Sequence, residues 1–186
     1  MAGVIRRVGP CRFLGRESGT HFAALTRTIV FQQLSGKAAS TILGRVHAIY
    51  GGRPPSPAEL LATPDAALRE AGVSNQKSRY LRDLATHIHE GRLPIQRLGR
   101  LQDDEAIAAL TNVKGIGRWT AQIFLMFRLQ RLDVLPDGDL GIQKAIQRAY
   151  GLRRLPNPKR VQRIGEPWSP YRTIASWYLW RSLEVE

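Results

Sequence analysis

Asn112-Val113-Lys114-Gly115-Ile116-Gly117-Arg118-Trp119-Thr120-Ala121 joins two segments with helical patterning. Upstream, Asp103–Leu110 reads as a helix. Downstream, Trp119–Leu129 is apolar on nearly every side, through Ile123, Phe124, Leu125, Met126 and Phe127, and belongs in the centre of a fold. Gly115 and Gly117 flank a single apolar residue, so the backbone there turns tightly and lets a partner approach closely. The amides of such a turn, and of the helix N-terminus behind it, point outward with partial positive charge and suit a phosphate. The unit is therefore helix, Gly-Ile-Gly hairpin, helix. A Gly-x-Gly pair alone is equally an ordinary helix–helix turn. The later stretch Leu135-Pro136-Asp137-Gly138-Asp139-Leu140-Gly141-Ile142 adds a carboxylate at the start of another helix and favours the functional reading.

Working outward, helical patterns fill the chain. A short helix and a loop are expected in residues 1–20, broken by Gly9-Pro10 and Gly15. His21–Gln33 carries Phe22, Leu25, Ile29 and Val30 along one side, Leu34-Ser35-Gly36 interrupts it, and Lys37–Tyr50 resumes until Gly51-Gly52. Ser56-Pro57-Ala58-Glu59 has the form of a capping box with proline at the first helical position. Thr63-Pro64-Asp65 repeats that start signal. Ser74 caps a helix with Tyr80, Leu81, Leu84 and Ile88 as its apolar stripe, and 92–101 is a connector. Leu140–Tyr150 is amphipathic, 151–169 reads mostly as loop, and Pro170–Leu183 is a final aromatic-rich helix. No segment alternates with period two, so the fold class is all-α.

The 186 residues suit one domain or two small lobes, and 43% hydrophobic content supports a core. Lys and Arg number 28 against 15 acidic residues, a net charge of +13, which points to a polyanionic partner such as nucleic acid. Cys11 is the only cysteine, which excludes an intramolecular disulfide and a four-cysteine iron–sulfur cluster. No stretch is long and apolar enough to span a bilayer, and the N-terminus lacks a secretory apolar region. The four histidines are scattered, and the spacing of His87 and His89 does not place them on one helix face for a metal.

Gly115-Ile-Gly-Arg-Trp-Thr-Ala121 with Asp139 resembles the helix-hairpin-helix (HhH-GPD) DNA glycosylase superfamily, and within it the monofunctional 3-methyladenine DNA glycosylase II subgroup. The resemblance covers roughly residues 20–182. It implies a two-lobed helical fold with a DNA- and base-binding cleft between lobes, one lobe about 21–135 and the other 1–20 with 136–186. It implies Asp139 as the catalytic carboxylate, matching better than Asp137. Trp119 stands where bifunctional relatives carry a lysine nucleophile, and with Trp180 it would line the base pocket. Core packing is the competing reading of Trp119.

Gln32-Gln33-Leu34-Ser35-Gly36-Lys37 resembles the segment that probes the minor groove. There Leu34 would wedge into the stack when a base is flipped out, with Gln33 beside it. DNA contacts are expected from Gln33, Leu34, Lys37, Lys114, Gly115, Gly117, Arg118 and Thr120. Arg172 is either a surface ion pair or a structural anchor, and Trp177 and Tyr178 belong to the core. No cofactor is expected, although relatives often hold a monovalent cation on the hairpin carbonyls.

The implied activity is hydrolysis of the N-glycosidic bond of alkylated purines, 3-methyladenine and 7-methylguanine, in double-stranded DNA. The protein would be a monomer of the bacterial cytoplasm, associated with the nucleoid. Breaking that bond builds positive charge on the sugar, which one carboxylate can stabilise while it positions or deprotonates water. An alkylated purine is already cationic, leaves without a strong general acid, and is attracted by aromatic faces. Two departures limit the transfer of base preference: Ile123 stands where some relatives place a tyrosine, and the extra N-terminal α/β domain of some relatives is not seen. The alternatives are a glycosylase for deaminated, etheno or oxidised bases, and a non-catalytic binder of damaged DNA.

Overall fold

The computed structural model describes residues 1–13 and 19–185, and among them there are helices and no strands. Gly15, expected to break the N-terminal pattern, lies outside the described residues. The chain divides into two units: Glu17–Phe124, and Met1–Arg16 with Leu125–Glu186. The second boundary falls inside a helix rather than after residue 135. No helix among the described residues is long and apolar enough to cross a membrane.

The unit Glu17–Phe124 is built on α2 (His21–Phe31), α3 (Gly36–Ile49), α4 (Pro57–Ala62), α5 (Asp65–Glu70), α6 (Asn75–His89) and α7 (Asp103–Thr111), with the first turns of α8 (Arg118–Phe127). Helix α6 is its hub and packs against α2, α4 and α5. Fully buried Leu25, Ile29, Leu60, Leu68, Leu81, Leu84 and Leu110 fill this core. Local capping agrees with the sequence: Ser56 and Glu59 form a reciprocal capping box, and the Ser74 hydroxyl accepts from the Lys77 amide. Thr63 departs from expectation. It does not cap α5. Its hydroxyl lies 2.6 Å from that of Tyr50 and donates to the Glu59 carbonyl, so it closes α4 instead.

The other unit contains α1 (Ala2–Val8), the end of α8, α9 (Leu140–Ala149), α10 (Pro158–Gly165) and α11 (Arg172–Ser182). Leu135, Ile142, Ile146, Val161 and Leu179 form one cluster. Val4, Phe13, Trp177 and Tyr178 form another, so the last two are core residues as expected. Helix α10 corrects the reading of 151–169 as mostly loop. Asn157 caps it by accepting from the Arg160 amide, and Pro158 occupies its first turn. That Asn-Pro start was visible in the sequence but was masked by flanking Pro and Arg. Arg172 is an anchor. Its backbone N–H, Nε and Nη2 donate to Asp133, and the guanidinium holds the Asp133 carboxyl below its ordinary pKa.

Candidate active site and nucleic-acid interface

The hairpin between α7 and α8 is pinned by its two apolar residues, since Val113 and Ile116 are 1% and 3% exposed. The Ile116 amide donates to the Val113 carbonyl at 3.1 Å and closes the turn. The Lys114 amide donates to Asp83 Oδ2 at 2.8 Å, so a carboxylate on α6 fixes the hairpin from behind. Gly115 has φ +84°, and a Cβ there would sit 2.3 Å from the Tyr80 ring. Tyr80, expected in an apolar stripe, is instead the plate on which the hairpin backbone lies. Gly117 leads into α8, and its carbonyl accepts from the Ala121 amide, so the positive end of that helix begins directly behind the hairpin.

The arrangement around the hairpin extends to the loop after α2. Gln33 has φ +56°, a conformation that non-glycine residues adopt at a cost of about 1–3 kcal/mol. Leu34 beside it is 39% exposed, although leucine is ordinarily buried. The Gln32 carboxamide donates to the Gly115 carbonyl at 2.8 Å, so this loop and the hairpin touch directly. Gln33, Leu34 and Lys37 all lie at the surface. Lys114 and Arg118 are exposed as well. Thr120 is corrected: at 5% exposure its side chain turns inward and presents no hydroxyl to a phosphate. Trp119 is 46% exposed, which removes the core-packing reading.

Asp139 and Trp180 come together in the other unit. Asp139 is the N-cap of α9, where Oδ1 accepts from the Ile142 amide at 2.7 Å. The same oxygen accepts from the Trp180 indole N–H at 2.9 Å. Trp180 in turn stacks on Phe127, with ring centroids 6.1 Å apart. Two donors on one oxygen fix the rotation of the carboxylate, and the local peptide dipoles favour negative charge there. Asp137 differs in kind. It is 8% exposed, and its carboxylate accepts from the Gln162 side chain on α10. It ties the turn to α10 and is not a second acid at the surface.

Gly141 completes this corner. A Cβ there would lie 3.0 Å from Asp139 Oδ1 and 3.1 Å from the Trp180 ring. We expect Gly141→Ala to push the carboxylate and indole apart. If Asp139 is the reacting carboxylate, single-turnover base release falls about tenfold with little change in DNA affinity, because displacements below an ångström already cost rate. Equal loss of release and affinity would contradict this.

Sequence reading missed the long-range partners: Asp83 for the Lys114 amide, Tyr80 for Gly115, and Trp180 as a donor to Asp139. It also missed the exposed arginines and lysine of α10, Lys159, Arg160 and Arg163. The alternation of Val161 and Ile164 with these cations was the available signal.

Comparison with known proteins identifies the family of the chain. Residues 26–170 match the HhH-GPD superfamily of base excision DNA repair proteins. The DNA-3-methyladenine glycosylase 1 of Schizosaccharomyces pombe is 36% identical, over 88% of this chain and 73% of its own. The solved structure of the 3-methyladenine DNA glycosylase Mag1 of that organism, in complex with abasic DNA, superposes with TM-score 0.83 at 34% identity, over 97% of this chain and 89% of that one. A DNA-3-methyladenine glycosidase from Bacillus halodurans gives TM-score 0.82 at 41% identity, over 92% and 84% respectively.

Proposed function

This chain belongs to the HhH-GPD superfamily of base excision DNA repair proteins, and from that premise we propose that it is a monofunctional DNA glycosylase that excises alkylated purines, 3-methyladenine first among them. The observation that carries the proposal is the Asp139 carboxylate, fixed by the Ile142 amide and the Trp180 indole at the head of α9. The names of the relatives support the substrate class, and the abasic DNA bound to Mag1 supports DNA as the partner.

In the proposed cycle the Gly115–Gly117 hairpin and Lys114 hold the backbone. Such contacts position the enzyme without reading sequence. Leu34 wedges the duplex and the damaged nucleotide leaves the stack. The resemblance assigns Trp119 and Trp180 to reception of the cationic base, and Trp119 is exposed. The glycosidic bond then breaks toward the base, which departs with the electron pair. Asp139 stabilises the positive sugar and takes the proton of the water that adds to it. The products are a free base and an abasic site. Trp119 stands where the resemblance places a lysine in bifunctional relatives, so no strand cleavage is proposed.

A monovalent cation on the hairpin carbonyls is proposed on the resemblance alone. The carbonyls of Val113 and Gly115 already accept protein donors, but each oxygen keeps a second lone pair. Those two would hold the ion, its charge would add to the attraction for phosphate, and no step of hydrolysis passes through it. The protein is proposed to act as a monomer in the bacterial cytoplasm at the nucleoid.

The test is to incubate the protein with DNA treated by a methylating agent and to measure free 3-methyladenine and 7-methylguanine. Release of both supports the full proposal, and release of 3-methyladenine alone narrows it. No release despite tight, salt-sensitive binding would replace it with a damaged-DNA binder or another base specificity. We further expect the slope of log affinity against log salt to shrink by about 0.9 for each of Lys114→Gln and Arg118→Gln if each holds one phosphate. An unchanged slope removes that residue from the interface.

A further inference from the structure

Lys77 lies on α6 and is not among the residues assigned above to DNA, yet its ammonium is committed to the loop that carries Leu34. It donates to the carbonyls of Val30 and Gln32, each at 2.7 Å. These carbonyls lie at the C-terminal end of α2, where the helix leaves its last acceptors without internal partners. The next residue, Gln33, is the one held at φ +56°. A third bond, from Gln32 to the Gly115 carbonyl, joins the same turn to the hairpin. The loop is thus held from below by a cation and from the side by the hairpin, while Leu34 stays exposed at its tip. Partial burial lowers the Lys77 pKa from its ordinary value, which is the cost of placing an ammonium beneath the loop.

We propose that Lys77 is a positioning residue for base extrusion: by holding the Val30 and Gln32 carbonyls it keeps Gln33 left-handed and Leu34 aimed outward as a rigid wedge. This rests on the reading of Leu34 as the wedge. An apolar side chain that opens a stacked duplex must resist the stack closing on it. An exposed leucine on a strained turn does so only if the turn cannot relax. The two carbonyl bonds supply that resistance, and the Gln32 bond makes wedge and phosphate grip a single body.

A residue that merely capped α2 would matter equally on every substrate. A residue that braces the wedge matters only where a base must be unstacked. Single-turnover release of 3-methyladenine is therefore measured on a methylated strand annealed to its full complement, and on the same strand annealed so that its purines lie in a central unpaired bubble. We expect Lys77→Met to lose about tenfold or more on the full duplex, as for a lost charged hydrogen bond. On the bubble the loss is less than about twofold, because unpaired bases are already open. Lys77→Arg restores most of the rate, and adding Lys77→Met to Leu34→Ala causes no further loss.

Equal losses on both substrates, or additive losses in the double variant, overturn the inference. Leu34→Ala without a duplex-specific loss refutes the wedge reading on which it rests. Leu34→Ala with that loss, but Lys77→Met without it, refutes the brace alone. Should Lys77→Met fail to fold, shown by thermal unfolding, Gln32→Ala removes the lateral tie and carries the same duplex-against-bubble comparison.

Discussion

Asp139→Asn is expected to end base release while leaving a folded protein that binds DNA. Asparagine is as good an N-cap as aspartate, so its carbonyl oxygen can still accept from the Ile142 amide and the Trp180 indole. What disappears is the negative charge beside the forming sugar cation and the acceptor for the water proton. Loss of one preorganised electrostatic group costs about a hundred- to a thousandfold in rate, and loss of the base adds to it. The measurements are single-turnover release on methylated DNA, DNA affinity and thermal unfolding. Wild-type levels of release from Asp139→Asn would remove Asp139 from the chemistry. Equal DNA affinity with no release from either protein would fit a binding protein.

The second large effect separates two glycines that look equivalent in the sequence. Gly115→Ala places a Cβ 2.3 Å from the Tyr80 ring on a residue at φ +84°. Left-handed strain and overpacking each cost about 1–3 kcal/mol, so a loss of about 2–6 kcal/mol is expected. For a chain of this size that is roughly 4–24 °C in Tm. DNA affinity should fall with it, because the ring cannot yield without moving the hairpin. Gly117→Ala meets no atom within 4 Å and has no positive φ. Its Tm should stay near wild type, and any loss of affinity would report a phosphate pressed against that backbone. Matching Tm losses in the two variants would contradict the Tyr80 contact as the cause.

The parts legible in the sequence are those that local chemistry dictates. Gly-Ile-Gly between helical patterns gave the hairpin. Ser56 with Glu59 and Ser74 gave helix starts, because a cap and its amide lie three residues apart. Asp139 read as a helix-start carboxylate for the same reason, and the family resemblance raised it above Asp137. The remainder depends on residues distant in the chain. Trp180 reaches Asp139 across 41 positions, and Lys77 reaches Val30 across 47. Nothing in the local pattern around Lys77 says that a lysine on an amphipathic helix will serve backbone carbonyls rather than solvent. Thr63 failed as a cap because packing brought the Tyr50 hydroxyl to it, and Thr120 failed as a phosphate contact because its face of α8 turns into the core. Tertiary packing decided these cases, and periodicity cannot see it.

The double use of Asp139 has a consequence for saturation mutagenesis. The side chain proposed to do the chemistry also closes the first turn of α9, so abundance and activity should separate by substituent at this one position. Asn and Ser, which cap, should accumulate to normal levels and be inert. Ala, Val and Leu, which do not, should be inert and also depleted in the cell, since a lost cap costs about 0.5–2 kcal/mol. A screen that reads survival alone would score all five alike and miss that only the first two are true chemical knockouts.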